Sequence, residues 1–340
     1  MKVIVTGGAG FIGSAVCRHL IHSTNCSVVN VDKLTYAANL VSLASIADNP
    51  RYRFVRGDIA DRDAMRALFD EVQPDAILNL AAETHVDRSI LDPGAFVRTD
   101  VLGVHVLLEW VRESGVRLVH VSTDEVYGDV PEGRVAHEDD PLQPSSPYAA
   151  SKAGADLQVL AYVRTFGVDA SITRGSNAFG PFQYPEKLIP LFVTNALESE
   201  QLPLYGDGRQ RRAWVYVEDQ CAAIELVLRR GESGGVYNVG GEERENQQVA
   251  NLIVELTGAS PDLIRHVEDR PGHDRRYSIA SDRVRALGWE PTVFFEEGIA
   301  DTVRWYRENA DWWRPLKSGE YRDYYARQYA DRLGSAPPVS

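Results

Sequence analysis

The segment KVIVTGGAGFIGS at residues 2–14 constrains this chain more than any other. Its short apolar run, residues 3–5, lacks polar alternation and reads as a strand covered on both faces. Glycines follow at once at positions 7, 8, 10 and 13, and residues 11–21 then carry a helical pattern. The rest of the first half repeats this alternation. Strands are predicted at 2–6, 27–32, 52–56, 76–80, 117–122 and 169–173, most of them rich in Val, Ile and Leu. Helices are predicted between them at 11–21, 62–69, 95–113 and 148–165. The predicted class is α/β, a Rossmann-type doubly wound parallel sheet.

The pattern changes after Arg174. Gly180, Pro181, Pro185 and Pro190 punctuate a loop-rich stretch. Strands are predicted at 214–217 and 236–239 with a helix at 222–229 between them, and further helices at 247–256 and 296–306. The expected organisation is a first domain over 1–174, to which the chain returns at about 214–239. A smaller α/β C-terminal lobe for substrate takes 175–213 and 240–316, and 317–340 form a tail frayed from Ser335 to Ser340.

A length of 340 residues fits two such units. No apolar run reaches a membrane span, and residues after Met1 do not read as a signal peptide. Three scattered cysteines, Cys17, Cys26 and Cys221, point to reduced thiols in a cytoplasm. A net charge of −13 argues against nucleic acid as partner but leaves room for a polyanionic small molecule bound by local arginines. His19 and His22 share a helix face without further ligands, so no metal is expected.

Glycines between a strand and a helix permit a tight turn and a close backbone approach, and the helix N-terminus attracts a pyrophosphate. Gly8, Gly10 and Gly13 fit G-x-G-x-x-G, and Gly7, Gly10 and Gly13 fit G-x-x-G-x-x-G, with Phe11 and Ile12 opening the helix. Asp32 ends the second strand about 20 residues on, where an acid meets the adenosine ribose and repels a 2′-phosphate. That favours NAD over NADP, with Lys33 as the opposing charge. Ala81, Ala82 and Glu83 follow the fourth strand. The alanines serve a close-lying nicotinamide or helix–sheet packing equally well.

Tyr148 and Lys152 form Y-x-x-x-K, four apart and so on one helical face. The lysine charge lowers the phenol pKa, so the tyrosine can take a proton from a hydroxyl as hydride leaves. The fifth strand delivers Thr123, Asp124 and Glu125 at its C-terminal end, where parallel sheets bind ligands. Adjacent carboxyls there suit paired acid and base work if their environments separate their pKa values.

Together these motifs resemble the dTDP-glucose 4,6-dehydratases, a family of extended short-chain dehydrogenases/reductases. The likeness runs through VDKLTYAANL, AAETHVDRSI, VSTDEVYGD, SSPYAASKA, GPFQYPEKLIP, LYGDG, YNVGG and DRPGHDRRY. It implies a redox-neutral dehydration of a nucleotide sugar. Tyr148 would remove the C4 hydroxyl proton as NAD takes hydride, with Thr123 near the C4 oxygen and Lys152 also on the nicotinamide ribose. Glu125 would take the C5 proton, Asp124 would protonate the departing C6 hydroxyl, and hydride would return to C6. Asp58 and Ile59 would read the adenine.

The resemblance also implies a substrate set. Thr84, His85, Asp87, Arg88 and Ser89 would lie near the hexose. Asn177, Arg212 and Asn246 would hold the pyrophosphate. Glu186, Lys187, Leu188 and Tyr205 would border the nucleoside, closed by Arg270 and His273. Gly175, Ala178, Phe179, Ala213 and Gln220 depart from the family pattern. Apolar residues on more than one face of 95–113 imply, with 148–165, a homodimer through a four-helix interface. A nucleotide-sugar epimerase or decarboxylase is the second enzyme reading, opposed by Asp124. An inactive NAD-loaded regulatory protein is the alternative from another class, opposed by the intact Tyr148, Lys152, Asp124 and Glu125.

Overall fold

A computed structural model describes residues 1–334. Its centre is a seven-stranded, all-parallel sheet. The strands are β1 (Lys2–Thr6), β2 (Ser27–Asp32), β3 (Tyr52–Arg56), β4 (Ala76–Asn79), β5 (Arg117–Thr123), β6 (Ala170–Gly175) and, after three strands of a second unit, β10 (Val236–Val239). The order is β10-β6-β5-β4-β1-β2-β3. Successive side chains point to opposite faces, so Val3 and Val5 enter one core and Ile4 the other. Helices α1 (Phe11–Ser23) and α7 (Val217–Arg230) cover the first face, with Leu20 and Ile224 in that core. Helices α2 (Arg62–Val72), α4 (Gly103–Ser114) and α5 (Pro147–Phe166) cover the second through Leu68, Leu107 and Val159. Between α2 and α4, the short helix α3 (Val86–Leu91) leads into a π-helical turn, Val97–Leu102.

The strand order reverses at β1, with β2 and β3 on one side and β4 onward on the other. The crevice beyond the C-terminal strand ends at that point is where open α/β sheets bind ligands. The second unit holds a three-stranded sheet of β7 (Asn177–Phe179), β9 (Arg211–Tyr216) and β11 (Glu242–Glu245). It also pairs β8 (Leu202–Tyr205) with β12 (Ile264–Val267). Helices α6 (Leu188–Leu197), α8 (Asn246–Thr257), α9 (Phe295–Glu308) and α10 (Glu320–Gly334) complete it around Phe192, Trp214, Ile253 and Tyr306.

Three expectations change. Residues from Trp214 do not rejoin the large sheet: β9 pairs with β7 and β11, because Trp214 packs against Phe179 and Phe295 of the lobe. The return begins with α7. The expected tail is a helix, α10, whose Tyr321 and Tyr329 are buried in the lobe core; residues 335–340 lie outside those described. Helix α6 includes Pro190, read from sequence as a loop marker. Proline is tolerated there because the first helical turn has no partner for its N–H. Among the described residues, no helix is long and apolar enough to cross a membrane.

Candidate active site

The glycine turn is built by close backbone contact. Gly7 has φ 71°, and a Cβ on it would stand 2.6 Å from Ala81 Cα. A Cβ on Gly13 would stand 2.1 Å from the Gly7 carbonyl oxygen. Gly10 differs: as N-cap of α1 it is extended, and its Cβ would meet only the Gly7 oxygen, at 3.3 Å. Its bareness leaves the helix N-terminus open to a close-lying anion.

That turn is one wall of a cavity of about 300 Å³. Gly7, Gly10, Phe11, Ile12, Gly13, Asp32, Lys33, Asp58, Ile59, Ala81 and Ala82 all line it, as do Thr84 and the residues Thr123, Asp124, Glu125, Tyr148 and Lys152. Asp32 is held by amide hydrogen bonds from Ala9 (2.9 Å) and Leu34 (2.8 Å). Lys33 donates to Glu83 (2.9 Å) and Thr99 (2.8 Å). The cation beside Asp32 is therefore already matched, which removes the argument for a 2′-phosphate. The long cavity, the open helix N-terminus and the ribose carboxylate fit NAD.

At the other end, β5 and α5 place the candidate catalytic groups. Ser146 caps α5 by accepting from the Ala149 amide (3.1 Å), and Pro147 starts the helix, so Tyr148 falls in its first turn. Tyr148 and Lys152 are both buried. Burial holds the Tyr148 phenol well above its ordinary value, reinforced by the charges of Glu125 and Asp100. Burial pulls the Lys152 ammonium down, opposed by Asp100 and Asp156. Lys152 Nζ donates to the Val121 carbonyl (2.8 Å).

Thr123 ends β5; its hydroxyl donates to Asp124 Oδ1 (3.3 Å) and accepts from the Glu125 amide (3.3 Å). Burial, then the neighbouring Glu125 charge, pushes the Asp124 carboxyl up to about 8, against the pull of Arg212. Burial also raises Glu125, but there Arg270, Arg212 and Lys187 oppose it. Burial thus keeps Asp124 an acid near neutral pH, while three cations oppose the same effect at Glu125.

A second cavity of about 140 Å³ joins the first at Glu125, Asn177, Glu186, Lys187 and Leu188. It is lined further by His85, Asp87, Tyr205, Arg212, Asn246, Arg270 and His273. The buried side-chain oxygens of Asn177 and Asn246 have no hydrogen-bond partner within the described structure. Arg270 bonds Asp87 (3.1 Å), Lys187 bonds the Thr84 carbonyl (2.6 Å), and His273 lies 2.6 Å from Asp269. Arg212 donates to the Asp274 carbonyl (2.9 Å). Burial keeps His85 below its ordinary pKa.

Two expected substrate residues line neither cavity. The Ser89 hydroxyl is fully buried and donates within α3 to Val86 (2.6 Å). Arg88 stacks between Tyr36 (3.4 Å) and Tyr324 (4.5 Å) and bonds Glu186 (3.2 Å), so it backs Glu186. Arg88 and Ser89 follow Asp87 around the short helix α3 and so leave it in directions other than that of Asp87, which lines the second cavity.

The structure adds Tyr277, whose hydroxyl donates to Asp274 (2.7 Å) and lies 3.5 Å from Glu125. Its place inside DRPGHDRRY was the only signal for it. Two departures from the family pattern also meet: a Cβ on Gly175 would stand 2.3 Å from Gln220 Nε2, so glycine at 175 leaves room for the end of that side chain as it lies.

The GDP-mannose 4,6 dehydratase family model matches residues 4–302. The chain belongs to that family. The dTDP-glucose 4,6-dehydratase of Streptomyces niveus is 51% identical over 94% of this chain and 96% of its own. Dehydratase 1 of Escherichia coli K12, of the same name, is 47% identical over 98% of this chain and 100% of its own. Among solved structures, the dTDP-glucose 4,6-dehydratase DesIV of Streptomyces venezuelae, with NAD bound, is 49% identical. It superposes with a TM-score of 0.90, covering 93% of this chain and all of that one.

Proposed function

We infer that this chain is an NAD-dependent nucleotide-sugar 4,6-dehydratase that converts dTDP-glucose to dTDP-4-keto-6-deoxyglucose and water. One observation carries the reading: the adjacent carboxyls Asp124 and Glu125 stand together at the cofactor cavity, Asp124 buried and raised to about 8, Glu125 opposed in its rise by Arg270, Arg212 and Lys187. Gly7, Gly10, Gly13 and Asp32 would hold NAD, which supplies the acceptor for hydride from sugar C4 and its donor back to C6. Tyr148 removes the C4 hydroxyl proton, with Lys152 as its charge partner. The C4 ketone acidifies C5, and Glu125 takes that proton. Asp124, protonated near neutral pH, gives its proton to the C6 hydroxyl as it leaves as water. Arg212, Asn177 and Asn246 bind the pyrophosphate, and the smaller lobe carries the nucleoside end. An epimerase needs no second carboxyl for elimination, which leaves Asp124 without a task.

The deciding assay incubates the purified protein with dTDP-glucose or UDP-glucose and follows loss of water by mass spectrometry. Dehydration of dTDP-glucose without accumulation of NADH is expected. Epimerised sugar of unchanged mass would overturn the reading.

The chain works as a homodimer in this reading. Leu157 and Phe166 on α5 are exposed, as are Val97 and Leu102 beside α4, so both helices keep an apolar side away from the sheet. Three buried, unpaired cysteines suit a reducing cytoplasm.

A further inference from the structure

The chain that follows β2 runs along the first cavity as a loop, residues 33–39. Lys33, Thr35, Ala37 and Ala38 of this loop line that cavity. Both ends of the loop are anchored to the first domain. The Leu34 amide donates to Asp32 Oδ1 (2.8 Å), and the Asn39 amide donates to the Ala9 carbonyl (2.8 Å). Leu34 takes a left-handed φ of 61°, a conformation that a leucine keeps only where its surroundings hold it. The middle of the loop is held differently. Tyr36 donates from its hydroxyl to Glu186 Oε1 (2.8 Å), 150 residues on, in the loop that joins β7 to α6. Tyr184 and Glu186 of that second loop line the same cavity. The Tyr184 ring meets the Tyr36 ring edge-on at 5.6 Å. Arg88 of α3 completes the joint: its guanidinium lies over the Tyr36 ring (3.4 Å) while it bonds the other Glu186 oxygen (3.2 Å). The Glu186 side chain is 1% exposed, and a hydrogen bond to an ionised group is stronger than one between neutral groups.

We propose that Tyr36 is a positioning residue for the cofactor: its hydrogen bond to Glu186 latches loop 33–39 to the facing loop of the smaller lobe and sets the rate at which NAD leaves. The proposal rests on the reading of the first cavity as the NAD site. The two loops belong to different units of the chain and both line that cavity, so the Tyr36–Glu186 bond joins its walls. Tyr36 does not itself line the cavity; it acts by holding its neighbours Thr35 and Ala37 in place. The proposed reaction gives such a latch a use. Hydride taken from C4 goes back to C6 of the same sugar, so reduced cofactor that escaped between the two steps would leave the sugar oxidised and the enzyme unable to finish. A latch on the cavity wall slows that escape without touching the reacting atoms. Glu186 also lines the second cavity, so one carboxylate closes the cofactor site and borders the substrate site.

The test measures release of NAD from the loaded protein, without sugar. Excess alcohol dehydrogenase and ethanol reduce each NAD that dissociates, so the rise of nicotinamide absorbance follows release. The parent is measured first. A parent that binds no NAD would remove the assignment of the cavity, and the latch with it. Tyr36→Phe deletes the hydroxyl and keeps the ring against Arg88 and Tyr184. Its NAD release should quicken about tenfold, the scale of one hydrogen bond to a charged group. Tyr36→Ala removes the ring as well and should quicken release further. The thermal midpoint of each NAD-free variant is read alongside, because a merely structural tyrosine would lower the midpoint and leave release unchanged. Release at the parent rate from folded Tyr36→Phe and Tyr36→Ala proteins overturns the proposal, and leaves the NAD reading intact.

Discussion

Asp124 and Glu125 are consecutive in the chain, yet their surroundings separate them. Asp124 is nearly sealed from solvent and its Oδ2 makes no hydrogen bond within the described structure, whereas Glu125 faces Arg270, Arg212 and Lys187. Replacing Asp124 by Asn should slow water loss by about 10²–10⁴, because an amide is a poor proton donor. Reduced cofactor should still form in that variant, read as nicotinamide absorbance without dehydrated product. The same placement sets a pH dependence. With Asp124 as the proposed acid, elimination needs it protonated, so its rate should fall as pH rises past about 8. Arg212 lowers the Asp124 pKa, so Arg212→Met should raise it and move that limb to higher pH. A limb that moved to lower pH in Arg212→Met would remove Asp124 as the group responsible. The sequence carries the identity of both acids but not the burial that raises them, nor the charges of Arg212 and Arg270, far along the chain, that oppose it.

At the scale of elements, legibility follows the range of the contacts that define each one. The strands of the large sheet are local apolar runs, and the predicted bounds of β1, β2 and β3 are the observed ones. Strand β9 was visible as a strand, but its sheet was not, because its partners are β7 and β11. Helix α10 reads from sequence as a tail, because the segments that bury its tyrosines lie far away in the chain. Tyr277 reaches Glu125 across a separation of 152 residues, which no local pattern encodes. Helix α10 also makes a testable claim. The Tyr205 hydroxyl donates to Asp87 (3.1 Å) and accepts from Gln328 (2.8 Å) and Arg332 (3.0 Å), tying α10 to the second cavity. Tyr205→Phe should cost about 1–3 kcal/mol in denaturant unfolding, since buried partners lose a hydrogen bond. It should also raise KM more than it lowers kcat. Unchanged stability would mean that α10 docks independently of Tyr205.

Over the whole molecule, the proposed catalytic pair and an exposed apolar side share one helix. Helix α5 presents Tyr148, Lys152 and Asp156 to the sheet and cofactor side, while Leu157 and Phe166 remain exposed on the chain alone. A helix that is apolar on more than one side calls for cover on each. In a two-fold interface every substitution acts twice, so one charge introduced on this face becomes two within a shared apolar surface. Leu157→Glu should therefore shift the protein from dimer to monomer in sedimentation at micromolar concentration. Leu157 neighbours Asp156 in sequence but lies about 100° around the helix from it and is exposed where Asp156 is buried, so the site itself keeps its residues. If the partner's helix steadies α5, the monomer should retain NAD less well and lose activity, and raising the protein concentration should recover both together. Leu157→Ala, which removes apolar area without adding charge, should show the same change to a smaller extent. A Leu157→Glu protein that sediments as a dimer would place the interface elsewhere. One that is monomeric and fully active would separate assembly from catalysis, leaving α5 held by the sheet alone.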